Sequence, residues 1–501
     1  MNFFTNHLSS LARSRSFCHG VSPLSARLEP WMSAQFNASH IQRLLEQHGS
    51  PVNLLATEPM ARNTASLAAI AENRGINFRI FFARKANKCL SFVDQAILCG
   101  GGLDTASENE VRQCLVRGTH PVDIICTAAI KSTSLIDLCI ANQILIAVDN
   151  RDELDLIDKR SLHLGLRAKI AIRLGGFLHK GSKLLTRFGF DADRDQRMLT
   201  ELNGLSVDVV GIHFHLDRYD AAERVSAILE SLRWVKQLRG LGHQPTFIDM
   251  GGGFPMTYLD DELEWTQFWN QLHASLRDEK PAITYQGHGL GLHCINEVIH
   301  GHSSCYPSFQ SLTSADWLAT ILDASVEGVS IARRLIDANL QLRCEPGRSV
   351  LDGCGMTAAR VEFRKQNATG DWLIGLGMNR TQCRTTSVDF LLDPILVPTS
   401  DADNNTPDVA MSGYLVGAYC TEAELLSLRK YVFPAGVRRG DVIVFPNTAG
   451  YLMHFMESRS HQFPLAKNLV FDAKADAWNL DLIDNPLWNP QEDRFQIKSL
   501  G

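Results

Sequence analysis

Eight apolar, β-prone runs alternate with helical patterns through the middle of the sequence, and this alternation constrains the fold more than any other feature. The runs lie at about 78–83, 101–104, 123–127, 144–148, 169–174, 207–214, 246–249 and 341–345. The helical patterns lie near 107–118, 132–141, 151–159, 194–203, 220–239, 262–277 and 326–339. Successive β-then-α units of this number predict an α/β fold, a parallel (β/α)8 TIM-like barrel. A doubly wound sheet is the alternative, although such sheets usually have fewer strands.

The length of 501 residues is enough for about two domains, and the sequence changes character on both sides of the barrel. We expect the barrel over residues 54–346, with an insertion at about 281–325 in the long connection between its last two strands. Strand-like runs with glycine and proline turns predict an all-β domain over 347–501. Residues 1–53 are expected to join that domain, and the first 35 of them look poorly ordered.

Composition excludes several classes of protein. The net charge of −6 argues against a nucleic-acid partner, and no apolar run reaches the roughly 18 residues that a membrane helix needs. Twelve cysteines without C-x-x-C pairs indicate reduced thiols and a cytoplasmic location. The insertion contains several histidines, but their spacing matches no zinc pattern, so we predict no metal site.

In a (β/α)8 barrel the functional side chains lie at the carboxyl ends of the strands. The polar residues and glycine turns predicted at those ends are Lys85, Asp104, Thr127, Asp149, Arg173, His213, His215, Gly251–Gly253 and Glu345–Arg348. A lysine there can be partly desolvated, which frees its lone pair for Schiff-base chemistry. Glycine turns after strands expose N–H groups that can cradle a phosphate. An amine, a phosphate cradle and a carboxylate together indicate pyridoxal 5′-phosphate (PLP).

Each of these features also has an ordinary structural interpretation. Most lysines at strand ends are solvated termini, and most strand histidines are satisfied core residues. Three successive glycines can form no more than a tight turn. The combination on one rim, rather than any single residue, carries the prediction.

Five segments resemble motifs of the fold-type III PLP-dependent decarboxylases, the family that includes the diaminopimelate, ornithine and arginine decarboxylases. They are Phe82–Asn87 (FARKAN), Asp104–Glu108 (DTASE), Ile212–His215 (IHFH), Ile248–Pro255 (IDMGGGFP) and Glu345–Arg348 (EPGR). They occur in the family's order, and the resemblance runs from about residue 49 to 471. The chain is therefore similar to this family, as a divergent member.

The resemblance implies a role for each matching residue in the barrel. Lys85 would form the Schiff base with PLP, His215 would stack on the pyridine ring, and Glu345 would pair with the ring nitrogen. The implied phosphate ligands are Gly251, Gly252, Gly253, Gly347 and Arg348. Asp104 and Arg173 are counted with the cofactor-binding residues. Where the family has glycine and a phosphate-binding serine after His215, this sequence has Asp217 and Arg218. Arg218 is counted with the cofactor-binding residues; either it replaces the serine contact or the loop is rearranged.

The all-β domain carries the other implied site residues. Tyr451 matches a family tyrosine that touches the phosphate, and Cys420 matches a catalytic cysteine that reaches the neighbouring subunit's site. Arg384 matches an arginine that binds a substrate carboxylate, displaced by one residue. The family's acidic residue for the distal amine of the substrate is replaced by Thr421, with Glu422 next to it. These matches imply a homodimer with shared active sites.

The predicted function is decarboxylation of an amino acid or of an amino-acid-derived intermediate. Glu345 favours this reaction because a carboxylate keeps the ring nitrogen protonated, whereas alanine racemases of similar fold place an arginine there. The alternatives are a PLP-dependent racemase or epimerase and a non-catalytic PLP-binding regulator. Because of the change at Thr421, the resemblance does not assign ornithine, lysine or meso-diaminopimelate as the substrate. This change and the long insertion favour a larger intermediate, such as one in siderophore or natural-product assembly.

Overall fold

The computed structural model describes residues 18–385, 390–399 and 409–485, which fall into two compact units. Within the described residues, the strand-rich unit draws on 18–57, Met256–Ser311 and Leu351–Asp484. The barrel unit draws on Glu58–Pro255 and Leu312–Val350. Residues 1–17 of the predicted N-terminal segment and 386–389, 400–408 and 486–501 of the predicted all-β domain lie outside the described residues.

The barrel unit contains a closed parallel barrel of eight strands. These are β1 Phe78–Ala83, β2 Gly102–Thr105, β3 Ile124–Cys126, β4 Leu145–Val148, β5 Ala168–Gly175, β6 Val207–Phe214, β7 Phe247–Asp249 and β8 Gln341–Cys344. Each strand pairs in parallel with the next one along the chain, and β8 pairs with β1. The predicted (β/α)8 fold is confirmed, and every predicted strand is present.

Helices connect the strands of the barrel unit. They are Glu58–Glu72, Leu90–Leu98, Glu108–Val116, Thr133–Asn142, Arg151–Leu164, Met198–Glu201, Ala221–Gly240, Ser314–Asp323 and Ile331–Asp337. The helix Glu108–Val116 begins as predicted, because Ser107 Oγ accepts from Glu110 N at 3.3 Å. The predicted helix 194–203 is shorter, since Leu202–Gly204 forms a 3₁₀ turn. The helices Leu90–Leu98 and Ser314–Asp323 were not predicted.

A compact apolar cluster fills the barrel. Its buried members are Phe81, Ile125, Leu145, Ala147, Ala171 and Phe247, contributed by five of the eight strands. Such packing makes the interior a solid core rather than a pore, so chemistry is confined to the rim. The strand ends on that rim are therefore held by a rigid scaffold.

The strand-rich unit is built on a ten-stranded sheet. Its strands are His19–Gly20, Val52–Leu55, Gly355–Gln366, Trp372–Leu376, Ile395–Val397, Met411–Val416, Tyr431–Phe433, Val442–Phe445, Lys467–Asp472 and Ala477–Leu480. The long strand Gly355–Gln366 organises the sheet, because its first half pairs with Val52–Leu55 and Val442–Phe445 and its second half pairs with Trp372–Leu376. Two helices, Pro30–Ala34 and Ala38–His48, belong to the same unit.

One predicted barrel helix lies in the strand-rich unit instead. The pattern at 262–277 does form a helix, Glu262–Leu276, but its buried residues Phe268 and Leu272 join an apolar cluster with Val361 and Tyr431. The hairpin of Leu292–Ile295 and Val298–Gly301 follows in the same unit. Helical periodicity shows which face is apolar but not which core buries it, so the sequence pattern assigned this helix to the wrong unit.

The expectation that residues 1–35 are poorly ordered is wrong for residues 18–35. The strand His19–Gly20 pairs with Tyr431–Phe433, and Asp393 accepts hydrogen bonds from the N–H groups of Gly20 at 2.9 Å and Leu24 at 3.0 Å. Asp393 in turn pairs with the buried Arg429 at 2.7 Å. A distant ion pair thus fixes this segment, and nothing in the local sequence indicates it.

Among the ranges that the structure describes, no helix combines the length and the apolar character that crossing a membrane requires.

Replacing Asp393 by Asn should destabilise the strand-rich unit by about 3 kcal/mol, because it leaves the buried Arg429 without its counter-charge. We expect a lower urea midpoint and faster hydrogen–deuterium exchange at His19–Leu24. The control is Glu362→Gln, which breaks the partly exposed pair with Arg360 and should cost at most about 1 kcal/mol. Equal effects of the two substitutions would contradict the account.

Candidate active site

The turn after β1 holds Lys85 at the rim of the barrel. Arg84 is buried, and its Nη1 donates to the carbonyls of Lys88 and Cys89 at 3.1 Å each, while Nη2 donates to Gln113 at 2.7 Å. These bonds close the chain into the short 3₁₀ turn Arg84–Ala86. Arg84 therefore points inward and fixes the turn, whereas Lys85 keeps 35% of its side chain exposed.

Lys85 meets a carboxylate that belongs to β2. Its Nζ donates to Asp104 Oδ2 at 2.9 Å, and Thr127, after β3, donates to Asp104 Oδ1. Asp104 itself is 1% exposed. Three neighbouring strand ends thus hold the amine in one place, as the strand-end prediction requires.

The ends of β6, β7 and β8 form a buried trio of titratable groups. His213 Nε2 and Glu345 Oε1 are 3.1 Å apart, and the donor atoms of His213, Asp249 and Glu345 all lie within 4.8 Å of one another. Such a trio can also ligate a metal ion, but His213 Nε2 and Glu345 Oε1 are already joined by their hydrogen bond. His213 Nδ1 and Asp249 Oδ2 have no hydrogen-bond partner among the described residues.

Burial shifts every pKa in this trio toward the neutral form. Burial, with the charge of Asp104 second, raises the pKa of Glu345 well above the usual range of a carboxyl group. Burial and the Glu345 charge raise the pKa of Asp249 to about 7. Burial and the Arg173 charge lower the pKa of His213 to about 3, so this imidazole is neutral and its Nε2–H donates to Glu345.

Arg173, in β5, brings a buried cation to the same rim. Its Nη1 lies 3.3 Å from Asp149 Oδ1, which also accepts from Gly189 N at 3.1 Å. The guanidinium stands 4.1 Å from the centroid of the Phe188 ring. Burial lowers the pKa of Arg173, while the charges of Asp149, Glu345 and Asp104 act in the opposite direction. The positive charge of Arg173 therefore interacts with the carboxyl groups of Asp149, Glu345 and Asp104.

The glycine turn after β7 is a cradle that only glycine fits. Gly251 and Gly253 have φ angles of +66° and +79°, and a Cβ on Gly252 would lie 2.6 Å from the Glu345 carbonyl oxygen. Gly252 N donates to His215 Nδ1 at 3.1 Å, so His215 carries its proton on Nε2. Burial and then the Lys85 charge lower the pKa of His215 well below its usual value. The ring is thus neutral and held beside the turn.

Backbone hydrogen bonds continue the barrel beyond its strands and join the loops that carry these residues. Glu345 N donates to Gly251 O at 2.9 Å, and Ala83 N donates to Pro346 O at 3.3 Å. Gly347 and Arg348 follow directly, with Gly347 buried and Arg348 half-buried. One rim thus carries three features that fit PLP: the amine of Lys85 fits its aldehyde, the glycine turn fits its phosphate, and the buried carboxyl group of Glu345 fits its ring nitrogen.

Arg218 does not join this group. Its side chain is 73% exposed, and its Nη1 lies 3.4 Å from Glu223. Its position therefore does not support the predicted replacement of the phosphate-binding serine. Sequence reasoning missed Arg224 and left Asp249 out of the site, although Asp249 ends β7 and that position was a usable signal.

The remaining predicted residues belong to the strand-rich unit. Cys420, Thr421 and Glu422 are exposed, and Thr421 N donates to Tyr419 O at 2.9 Å. Arg384 is half-buried and donates from Nη2 to Leu425 O at 3.0 Å. Their roles, and that of Tyr451, remain predictions.

Glu424 supports the loop that carries Cys420, and sequence reasoning missed it. Its Oε1 accepts from Arg380 N at 2.8 Å, and its own backbone carbonyl accepts from Gly417 N at 3.3 Å. Burial raises the pKa of this carboxyl group. Tyr451, on another loop of the unit, has a φ of +74° and an edge contact with Phe455.

Comparison with known proteins agrees with this geometry. Residues 62–287 match the family model described as the pyridoxal binding domain of pyridoxal-dependent decarboxylases. The chain is 31% identical over 424 residues to an uncharacterized protein, y4yA, of Sinorhizobium fredii, covering 84% of this chain and 87% of that protein. It is 22% identical over 387 residues to a diaminopimelate decarboxylase of Campylobacter jejuni, covering 74% and 79%.

A solved structure shares the fold at low sequence identity. The diaminopimelate decarboxylase of Helicobacter pylori, complexed with L-lysine, superposes with a TM-score of 0.63 at 19% identity, covering 88% of this chain and 95% of that one. The matched family model, the full-length relative and the rim of the barrel lead to the same conclusion: the chain belongs to the fold-type III pyridoxal-dependent decarboxylase family, as a divergent member.

Proposed function

We propose that this protein is a PLP-dependent decarboxylase of an amino acid or of an amino-acid-derived compound. The observation that carries the proposal is Glu345, a buried carboxyl group at the end of β8 with a hydrogen bond from His213. PLP, when bound, draws electrons from the substrate into its protonated ring, so that the bond to the carboxylate carbon can break. A carboxyl group at the ring nitrogen is the partner that this chemistry needs.

Glu345 is suited to hold a proton at the ring nitrogen. Because burial raises the pKa of Glu345, the group carries a proton near neutral pH and can hand it to a basic nitrogen. The resulting carboxylate then faces a cation in a site of low polarity, where opposite charges attract strongly. His213 donates to the same carboxyl group and fixes its orientation.

The other residues have matching tasks. Lys85 would hold the cofactor covalently through its aldehyde, with Asp104 positioning the amine. The neutral His215 would cover one face of the ring, and Gly251–Gly253 with Gly347 and Arg348 would hold the phosphate, together with Tyr451. Arg173 would influence the cofactor indirectly, through its charge interactions with the nearby carboxyl groups. Cys420, whose thiol is exposed, would return a proton to the substrate carbon.

The alternatives are less well supported. A racemase of this fold is expected to have an arginine rather than Glu345 at the ring nitrogen. A non-catalytic regulator would need neither the amine of Lys85 nor the thiol of Cys420, and both are present. The substrate is proposed to be an amino acid with an altered distal group, or a larger intermediate, because Thr421 stands where the family has an acidic residue.

We further propose a homodimer with composite sites and a cytoplasmic location. The dimer is suggested by the family resemblance and supported by the presence of Arg384, Cys420, Thr421 and Glu422 in the strand-rich unit, while Lys85 belongs to the barrel unit. The location is supported by the cysteines, since none of the twelve, all of which lie in the described residues, is in a disulfide, as is usual in a reducing compartment.

The experiment that tests the reaction type is a screen of amino acids, and of derivatives that are conjugated at the side chain and keep a free α-amino group, for CO2 release by the purified protein with PLP. We expect at least one substrate to yield CO2 and an amine in equal amounts. Exchange of the Cα proton without CO2 release from any compound would instead favour racemisation or transamination.

Lys85 should be the residue that binds PLP covalently. After reconstitution and borohydride reduction, peptide mass spectrometry should find the cofactor mass on Lys85 alone, because its amine is held at the rim by Asp104. Lys88→Met, a neighbouring substitution, should retain the label, and Lys85→Ala should lose it. Labelling of another lysine in the wild-type protein would refute this assignment.

Mixed dimers should reveal shared sites. A Lys85→Ala chain and a Cys420→Ala chain, each deficient alone in forming the amine product, should together form heterodimers with one intact site of two. The measurement is amine formation by tag-purified heterodimers, with each homodimer as control. If proven heterodimers formed no more amine than the homodimers, each chain would build its own site.

A further inference from the structure

Arg224 is a buried cation that lies against the glycine turn, and no motif pointed to it. It belongs to the helix Ala221–Gly240, which follows β6, and its side chain is fully buried. Its Nη2 donates to the carbonyls of Leu216 at 2.5 Å and Gly252 at 3.0 Å. A Cβ on Gly253 would lie 2.5 Å from the same Nη2. The guanidinium therefore occupies the space that a side chain at Gly253 would need.

The charge of Arg224 has no counter-ion within the described part of the chain. Arg224 makes no salt bridge there, and the neighbouring Glu223 is within ion-pair distance of Arg218 instead. The Nε and Nη1 atoms of Arg224 have no hydrogen-bond partner among the described residues. A buried charge is costly unless it is paired, and two carbonyl groups do not neutralise it. An anion is the partner that this position lacks.

Several neighbouring groups interact with this charge, but none of them is an anion within ion-pair distance. Glu223, Asp217 and Tyr219 act on the guanidinium from beyond ion-pair distance. Trp317 lies 5.5 Å from it, which gives a weak cation–π contact. Burial lowers the pKa of Arg224 to about 10, so it stays charged at neutral pH. The same charge helps to lower the pKa of His215, whose ring accepts a hydrogen bond from Gly252 N in the same turn.

We infer that Arg224 compensates the negative charge of the phosphate group at the Gly251–Gly253 turn, in the role that a serine has in the family that this sequence resembles. The inference rests on the proposed use of PLP and replaces Arg218 as the expected substitute. Arg224 already joins the segment after β6 to the turn itself, through Leu216 O and Gly252 O. A phosphate oxygen on this turn would give the buried guanidinium its missing counter-charge.

The test compares two ligands that differ only in the phosphate. Pyridoxine 5′-phosphate and pyridoxine lack the aldehyde, so neither reacts with Lys85. Calorimetric titration of the cofactor-free protein gives both dissociation constants, and the ratio used is that of pyridoxine divided by that of pyridoxine 5′-phosphate. This ratio measures the contribution of the phosphate contacts. In Arg224→Met the ratio should fall by about ten- to a hundredfold, the range for hydrogen bonds to charged groups. Binding of pyridoxine itself should change much less.

Two substitutions act as controls. Arg233→Met removes an exposed arginine of the same helix, which pairs with Glu230, and should leave the ratio unchanged. Arg218→Met tests the competing residue and should also leave the ratio nearly unchanged. If Arg224→Met does not fold, Arg224→Lys takes its place. The lysine ammonium lacks the planar, preorganised fork of the guanidinium, so it should hold two carbonyls and a phosphate oxygen less well, and the ratio should fall about tenfold.

Two outcomes would overturn the inference. One is an Arg224 variant that weakens both ligands equally, which would make Arg224 a purely structural support for the loops. The other is a fall in the ratio for Arg218→Met alone. Failure of the proposed function has a different signature, since the wild-type protein would then show no preference for the phosphorylated ligand at all.

Discussion

The hydrogen bond between His213 and Glu345 is the interaction on which the candidate site depends. It joins the ends of β6 and β8 across β7, inside a region where both side chains are almost completely buried. Burying a carboxylic acid beside Asp249 is unfavourable, and the raised pKa values of both acids reflect that cost. A protein optimised for stability alone would place apolar residues here. Buried titratable groups with shifted pKa values, gathered in this way, are typical of a functional site.

The parallel barrel explains how such distant residues meet. Polar residues lie at or next to the ends of the neighbouring strands β6, β7 and β8, and the backbone bond from Glu345 N to Gly251 O joins the loops after β7 and β8. Lys85 reaches the same rim because β1 pairs with β8. Strand order thus brings to one rim an amine, a glycine turn and a buried carboxyl group, each on a different loop.

Most of the barrel and its strand-end residues could be predicted from the sequence, because alternating apolar runs determine strands and strands determine their ends. Packing between distant segments could not be predicted. The helix Glu262–Leu276 has ordinary amphipathic spacing, yet its apolar face is buried in the strand-rich unit. Residues 18–24 are ordered by Asp393 and Arg429, hundreds of positions away.

Arg218 and Arg224 illustrate the same limit within the site. Counting from the motif at His215 selects Arg218, because it occupies the position of the expected serine. The helix Ala221–Gly240 instead directs Arg224 to the turn and leaves Arg218 at the surface. Motif position predicts backbone location well, but which of two nearby side chains is buried depends on the packing of a whole helix.

The most direct test of the central claim is the protonation state of the cofactor ring. Nitrogen-15 NMR of the protein loaded with ring-labelled PLP reports whether that nitrogen carries a proton. The account predicts a protonated nitrogen in the wild-type protein and an unprotonated one in Glu345→Gln, which keeps the shape of the side chain but cannot provide the negative charge. An unprotonated nitrogen in the wild-type protein, or the same signal in both proteins, would contradict it.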